Sequence, residues 1–182
     1  MTFHIDAELL DDAASIEALI ETCFGPNRKG RTVYQFRDGI PPVHELCFVA
    51  RNEADRMLGS IRFWPVQTGD GRILPLLGPL AVLPECQGQG IGRTLITHGL
   101  GAAERMGFPA VLIVGKPDYY VPFGFDRGLA DGLTLPGPVA PLTFMAMEFP
   151  GHEGCLDHYA GLVKPADNWS HPVFSHKDCL AS

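Results

Sequence analysis

Apolar positions recur along the chain with two periods, which predict helices in some segments and strands in others. Ile16, Ile20 and Cys23 repeat at helical spacing, and Asp11 or Asp12 stands where a helix N-cap is expected. The sequence therefore predicts a helix that ends near Cys23, with a second, short helix some ten residues later. Runs of apolar or alternating residues predict strands at 3–5, 45–50, 58–66, 73–83, 110–114 and 142–149.

Turn residues between these runs indicate how the strands connect. The polar stretches 52–55 and 68–72 are short enough to join antiparallel neighbours. The segment 90–106 changes to a helical period and stops at a glycine. The strand after it is apolar throughout, as a central strand parallel to its predecessor would be. The sequence thus predicts one α/β domain with a mixed sheet over residues 1–149, and a C-terminal tail, residues 150–182, packed on the same domain.

Composition and charge exclude several classes of protein and agree with the predicted single α/β domain. The chain has 182 residues, of which 46% are hydrophobic and 19% charged, a balance that supports one buried core. The formal net charge of −7 argues against general nucleic-acid binding, which needs a basic face. The longest apolar stretch, 73–83, is too short to cross a bilayer, and the N-terminus has no secretory signal. The five cysteines form no CxxC pair and are expected to be free thiols, so we expect a cytoplasmic protein that binds neither membrane nor nucleic acid.

Three glycines mark the junction between the most apolar strand and the helix that follows it. Gly88, Gly90 and Gly92 leave the backbone open to a ligand, and the unpaired N–H groups at the helix start form an anion site. A phosphate or pyrophosphate is the ligand expected at this site. The loop does not match the dinucleotide-binding fingerprint, because Arg93 stands where that motif has its third glycine. The chain does not contain a P-loop motif either, because Pro117 follows its single Gly-Lys pair where the motif needs Ser or Thr.

The same loop has the spacing Gln-x-x-Gly-x-Gly at Gln87, Gly90 and Gly92, and a second motif, Tyr-x-x-x-Gly-Phe, begins at Tyr120. In both motifs the sequence resembles the GNAT superfamily of N-acetyltransferases, and the Gly-x-Pro-x-Tyr-Tyr segment that ends at Tyr120 is similar to a bacterial branch of it. The resemblance covers about residues 3–149 and implies a GNAT-like fold: a mixed, mostly antiparallel central sheet with a parted strand pair and flanking helices. It also implies acetyl-CoA as co-substrate, with no metal. The residues expected to hold the coenzyme are Leu80, Ala81, Val82, Gln87, Gly88, Gln89, Gly90, Ile91, Gly92, Arg93 and Thr94.

A proline inside the most apolar strand indicates where the arm of the coenzyme lies. Pro79 cannot donate to a sheet ladder, so it predicts a bulge or a parting from the neighbouring strand. A parted strand leaves backbone groups free at about Leu80 to Val82, where the two amides of pantetheine can pair as an added strand would. On this hypothesis the Val82 N–H donates to the oxyanion of the transfer reaction.

Acetyl transfer also needs a proton for the departing thiolate and a base for the amine. The resemblance implies Tyr120 as the general acid, and Tyr119 is the adjacent alternative, for which a structural role is expected. The base stays unassigned, because residues 74–83 carry no carboxylate and Glu45 or Asp118 would have to act through water. An acceptor such as an α-amino group, with a pKa of about 8, removes the need for a fixed base.

Together these features predict an acetyl-CoA-dependent N-acetyltransferase that moves the acetyl group directly to the amine of a small molecule or a peptide. The alternative is a non-catalytic acyl-CoA-binding regulatory module, which the missing strand carboxylate keeps open. Three roles stay open for the basic cluster Arg28, Lys29 and Arg31: selecting an acidic acceptor, touching the 3′-phosphate of the coenzyme, or belonging to a solvated loop. The apolar final strand is compatible with a homodimer.

Overall fold

The computed structural model describes residues 2–167 and 169, and a mixed β-sheet forms its centre. The strands are β1 (Phe3–Ala7), β2 (Phe48–Asn52), β3 (Met57–Gln67), β4 (Ile73–Val82), β5 (Ala110–Val114), β6 (Leu133–Thr134), β7 (Phe144–Glu148), β8 (Gly161–Leu162) and β9 (Lys164–Pro165). Within the described residues seven of them form one sheet in the order β1-β2-β3-β4-β5-β7, with β9 paired to β3. All pairings in that sheet are antiparallel except β4 with β5, which confirms the predicted fold class and the parallel crossover.

Helices cover both faces of the sheet. The α-helices are α1 (Ala13–Phe24), α2 (Ile91–Arg105) and α3 (Pro117–Tyr120). Buried residues of α2 pack with Phe63 and Leu77 on one face, and those of α1 pack with Val49 and Ala81 on the other. Short 3-10 turns connect the larger elements, at Leu10–Asp12, Pro26–Gly30, Thr32–Phe36, His44–Leu46, Pro84–Cys86, Val121–Phe123, Gly128–Ala130 and Cys155–His158.

Two of the predicted strand boundaries are wrong, and local hydrogen bonds explain both. Glu45 lies in a 3-10 turn rather than a strand, because Val43 and Leu46 are both buried and the Leu46 N–H donates to the Val43 carbonyl at 2.8 Å. Leu142 precedes β7 with φ of +64° and 65% exposure, so the strand begins only at Phe144.

The start of α1 also differs in detail from the prediction. Asp12 does not cap the helix with its side chain; instead its carboxylate accepts a hydrogen bond from the Leu9 N–H at 2.9 Å. The 3-10 turn Leu10–Asp12 therefore leads directly into the helix, which begins at Ala13.

The described part of the predicted tail lies against the sheet. β9 extends β3, the Ala166 N–H donates to the Pro65 carbonyl at 3.2 Å, and the Trp169 ring stacks on Phe108 at 5.7 Å between centroids. The division into a domain, 1–149, and a tail, 150–182, stays a prediction, since residues 168 and 170–182 of that tail lie outside the described residues.

Two further findings concern the class of protein. Cys23, Cys47 and Cys86 are free thiols, and Cys179 lies outside the described residues. A search of the described residues finds no helix that is long and apolar enough to cross a membrane.

Candidate active site

The sheet opens between β4 and β5. The two strands pair only at Leu76 with Leu112 and at Leu77 with Ile113, and beyond Leu77 they separate. On its other side β4 has two residues, Gly78 and Pro79, where β3 has one, because Leu77 lies opposite Phe63 and Leu80 opposite Ile61. The structure therefore has both features that the proline predicted, a bulge and a parting of strands.

Backbone N–H groups of β4 point into this opening. The Leu83 N–H donates to the Leu58 carbonyl of the β3 side at 2.9 Å, so the Val82 carbonyl in the same peptide points away from β3. Because N–H groups alternate in direction along a strand, those of Val82 and Leu80 point into the opening, whereas that of Ala81 faces β3. The site thus directs two backbone donors at alternate residues into the opening, the spacing at which an added strand would pair.

The glycine loop ends at the start of α2. Gly90 has φ of +85°, a conformation that glycine adopts without strain, and it precedes the first residue of α2. The first backbone bond of the helix runs from the Thr94 N–H to the Gly90 carbonyl at 3.0 Å, which leaves the preceding N–H groups without a partner in the helix. The loop is tied to the end of β4 by Gln87, whose Nε2 donates to the Val82 carbonyl at 3.1 Å.

A cavity of about 710 Å³ joins the helix start to the opening of the sheet. Most of the predicted site residues line it: Leu80, Val82, Gln87, Gly88, Gly90, Ile91, Gly92, Arg93 and Tyr120. Ala81, Gln89 and Thr94 do not. The Ala81 side chain is buried in the cluster with α1, Gln89 donates to the Glu85 carbonyl, and the Thr94 hydroxyl donates to the Gly90 carbonyl.

Tyr119 and Tyr120 both line the cavity, but they differ in environment. The Tyr120 ring covers Gly115 and packs edge-to-face on Phe125 at 5.9 Å between centroids. Tyr119 is 42% exposed, and its hydroxyl lies against Gly92 in the first turn of α2. Burial raises the pKa of both hydroxyls above the ordinary value, by more at Tyr120.

The wall of the cavity is basic. Arg31, Arg37, Arg93 and Lys116 contribute to it, and of the described residues no Asp, Glu or His does. The two candidate bases, Glu45 and Asp118, are both exposed and lie outside the wall.

The basic cluster that the sequence singled out does not act as one unit. Arg28 is buried and its Nη2 pairs with Glu17 Oε2 at 3.1 Å, so it holds the turn after α1 in place. Arg31 reaches the cavity and its guanidinium lies 5.6 Å from the Phe24 ring centroid. Lys29 is exposed and does not line the cavity.

Arg37 is a site residue that sequence reasoning missed. Its guanidinium carbon lies 4.5 Å from the ring centroid of Tyr34 and 5.8 Å from that of Trp64. Burial lowers the pKa of the Arg37 guanidinium to about 10, so the group is still charged at neutral pH. Its neighbourhood depends on a strand far away in the sequence, and no local motif indicates it.

The start of α2 and the split in the mixed sheet share one cavity, which is the arrangement expected of an enzyme that holds a phosphate-bearing coenzyme. The comparison with known families agrees. Residues 13–122 match the acetyltransferase (GNAT) family, and the chain belongs to that family. The predicted family and the predicted enzyme class, an acetyl-CoA-dependent N-acetyltransferase, are thereby confirmed.

Similar proteins span nearly the whole chain. The uncharacterized N-acetyltransferase YhbS of Escherichia coli K12 is 34% identical over 163 residues, which cover 88% of this chain and 94% of YhbS. YjhQ of the same strain, also an uncharacterized N-acetyltransferase, is 30% identical over 170 residues, 86% of this chain and 92% of YjhQ.

Two solved structures resemble this one and contain the coenzyme. YhbS in complex with CoA superposes with a TM-score of 0.75 at 28% identity, covering 90% of this chain and 89% of that one. A GNAT family acetyltransferase from Brucella melitensis in complex with acetyl-CoA has a TM-score of 0.67 at 29% identity, covering 96% and 99%. Both agree with the predicted co-substrate. Among the described residues of this chain, no group of three or more His, Cys, Asp or Glu side chains could hold a metal ion.

Proposed function

We propose that the cavity binds acetyl-CoA along β4 and delivers its acetyl group to an amine that enters through the parted strands. The observation that carries this proposal is the continuity of one cavity from the start of α2 to the opening between β4 and β5. The pyrophosphate lies at the N–H groups before Thr94, where the helix dipole is positive. The pantetheine amides pair with the N–H groups of Leu80 and Val82.

The chemistry at the thioester then requires few side chains. The amine nitrogen forms a bond to the carbonyl carbon, and the oxyanion accepts a hydrogen bond from the Val82 N–H. The C–S bond breaks, Tyr120 gives its proton to the departing thiolate, the amine releases its proton to water, and Tyr120 regains a proton from water. In support of Tyr120, its hydroxyl borders the cavity and has no hydrogen-bond partner among the described residues.

No carboxylate of the described residues lines the cavity, so no fixed base is part of the proposal. The acceptor amine has to lose its proton to water, which is easiest for an amine of low pKa. Release of free CoA thiol with a panel of amines tests turnover directly.

Calorimetric titration with acetyl-CoA tests the binding step, with NADH and ATP as controls. We expect micromolar binding of acetyl-CoA alone. Gly90→Val should weaken it at least about tenfold, because a β-branched residue is strained at positive φ and displaces the loop. The matched control is Gly101→Val, farther along the same helix and outside the cavity wall, which should bind as the wild type does. Wild-type protein that does not bind acetyl-CoA would contradict the proposal. A cytoplasmic location and a homodimer stay predictions.

A further inference from the structure

Arg37 differs from the other sheltered arginines of the protein. Arg28, Arg51 and Arg62 have side chains that are 6%, 14% and 11% exposed, and each has a carboxylate partner. Those partners are Glu17, Asp12 and Glu8, respectively. Arg37 has no ion pair within the described residues, and its Nε, like that of Arg28, is buried without a hydrogen-bond partner there.

The surroundings of Arg37 contain a second unsatisfied donor. Trp64 Nε1, in the ring beside the guanidinium, is also buried without a partner among the described residues. The guanidinium of Arg37 hydrogen-bonds with the Tyr34 hydroxyl and lies over the Tyr34 ring, but neither group carries a negative charge at neutral pH. Glu17 is the carboxylate that acts on the guanidinium, and it makes no ion pair with Arg37 among the described residues. A charged group sheltered from water without a paired counter-ion is costly, so this part of the cavity suits an anion.

Arg37 lies away from the start of α2, where the pyrophosphate is proposed to bind. Trp64 points to the face of the sheet opposite Phe63, since side chains alternate along β3. Phe63 packs on Gly99 of α2, so Arg37 and the start of α2 lie on opposite faces. Arg37 Nη2 also lies 3.6 Å from the point where a Cβ on Gly78 would be, next to the bulge.

We infer that the acceptor is an amine that carries an oxyanion, a carboxylate or a phosphate, and that this group pairs with Arg37 on the face of the sheet opposite α2. The inference rests on the proposed function, because it names the acceptor class of the same site. A guanidinium presents parallel N–H donors that fit either oxyanion in a two-point contact. Anchored there, the acceptor directs its amine through the parting of β4 and β5 toward the thioester. Arg37 is thus a specificity-determining residue and has no part in the chemistry.

Matched pairs of amines test the inference, with release of CoA thiol and the mass of the product as readouts. Each pair shares its amine: glycine and β-alanine against their carboxamides for the carboxylate, and phosphoethanolamine against ethanolamine for the phosphate. For the wild type we expect kcat/KM to be about 100-fold higher for the anionic member of at least one pair, which identifies the oxyanion. Arg37→Gln should reduce that preference to less than about fivefold and leave the affinity for acetyl-CoA unchanged. Arg72→Gln, an exposed arginine outside the cavity wall, is the matched control and should retain the full preference.

The outcomes separate the acceptor from the coenzyme. Two results with a wild type that binds acetyl-CoA would overturn the acceptor inference and leave coenzyme binding intact. In the first, the protein acetylates the uncharged member of each pair as fast as the anionic member. In the second, it acetylates none of the anionic members. A wild type that does not bind acetyl-CoA removes the proposed function and the inference with it. If Arg37→Gln keeps the preference for the anionic amine, another residue determines the selectivity, and the inference is overturned. The wild-type comparison stands by itself if Arg37→Gln fails to fold.

Discussion

Tyr119 and Tyr120 are adjacent in sequence but meet the cavity in different ways. Tyr120 is packed between Gly115 and Phe125, so its hydroxyl has a fixed position. Tyr119 is more exposed, and its hydroxyl lies against Gly92 at the start of α2, where the pyrophosphate is proposed to bind. A proton donor has to be positioned, and this difference favours Tyr120 over Tyr119 for the proposed role.

A Tyr119 variant is therefore a matched control for a test of general acid catalysis by Tyr120. Tyr120→Phe should lower kcat by about 100-fold, the lower end of the range for a lost general acid, without changing the affinity for acetyl-CoA. Tyr119→Phe removes the same atom one residue away and should change kcat by less than about threefold. Steady-state rates and calorimetry on both variants check this. Equal losses of kcat in the two variants would contradict the assignment.

The pH dependence of the rate tests the state of the same hydroxyl. Burial, and then the neighbouring Tyr119, raise the pKa of Tyr120 above its ordinary value of about 10. A raised pKa moves deprotonation to higher pH, so Tyr120 keeps its proton throughout the neutral and mildly alkaline range. We expect kcat/KM to rise with pH as the amine loses its proton and to show no alkaline fall below about pH 10. A fall near pH 8 that disappears in Tyr120→Phe would show a lowered pKa instead.

At the scale of elements, helix α2 carries two interior glycines with opposite roles. A Cβ at Gly99 would lie 2.6 Å from Cε2 of Phe63, which is fully buried, whereas at Gly101 the nearest atom is Arg105 Nη1 at 3.3 Å, the end of a flexible chain. The contacts therefore indicate close packing on the sheet for Gly99 but not for Gly101.

The same substitution at these two positions should change stability in opposite directions. Gly99→Ala forces Phe63 to move in a filled core and should destabilise the protein by about 1–3 kcal/mol. Gly101→Ala should stabilise it by up to about 1 kcal/mol, because alanine has the higher helix propensity. Urea unfolding followed by circular dichroism measures both. A loss of stability in Gly101→Ala comparable to that of Gly99→Ala would mean that α2 packs differently from this structure.

Over the whole molecule, the sequence predicts those parts of the site that local chemistry determines. The missing N–H of Pro79 indicates the bulge, and the glycines at 88, 90 and 92 indicate the helix start, because each follows from one residue type. The roles of Ala81 and Arg37 depend on pairing with β3, a partner distant in sequence. Ala81 turns toward α1 through the register of β4, and Arg37 acquires its surroundings from Trp64. Long-range register is not encoded in a local pattern.

Two electrostatic effects act on coenzyme binding, a long-range one from the net charge of the chain and a short-range one from basic residues of the cavity. The dependence of the affinity on salt shows which of the two is stronger. The chain has a net charge of −7, which repels an anionic coenzyme at long range, whereas Arg93 and Lys116 line the cavity that receives it. Raising the ionic strength from 0.1 to 1 M shortens the Debye length from about 10 to 3 Å and screens both interactions. Because the local charges are closer to the ligand, their attraction dominates, and we expect the Kd for acetyl-CoA to rise about tenfold.

Two comparisons isolate that attraction. S-acetylpantetheine has the same arm without the phosphates, so its Kd should not rise with salt. Arg93→Gln should weaken acetyl-CoA binding and flatten its dependence on salt, whereas Arg72→Gln, outside the cavity wall, should do neither. Calorimetry at the two ionic strengths provides all of these values. An acetyl-CoA affinity that increases with salt would mean that the net charge governs the encounter, and that the basic residues of the cavity face a different ligand.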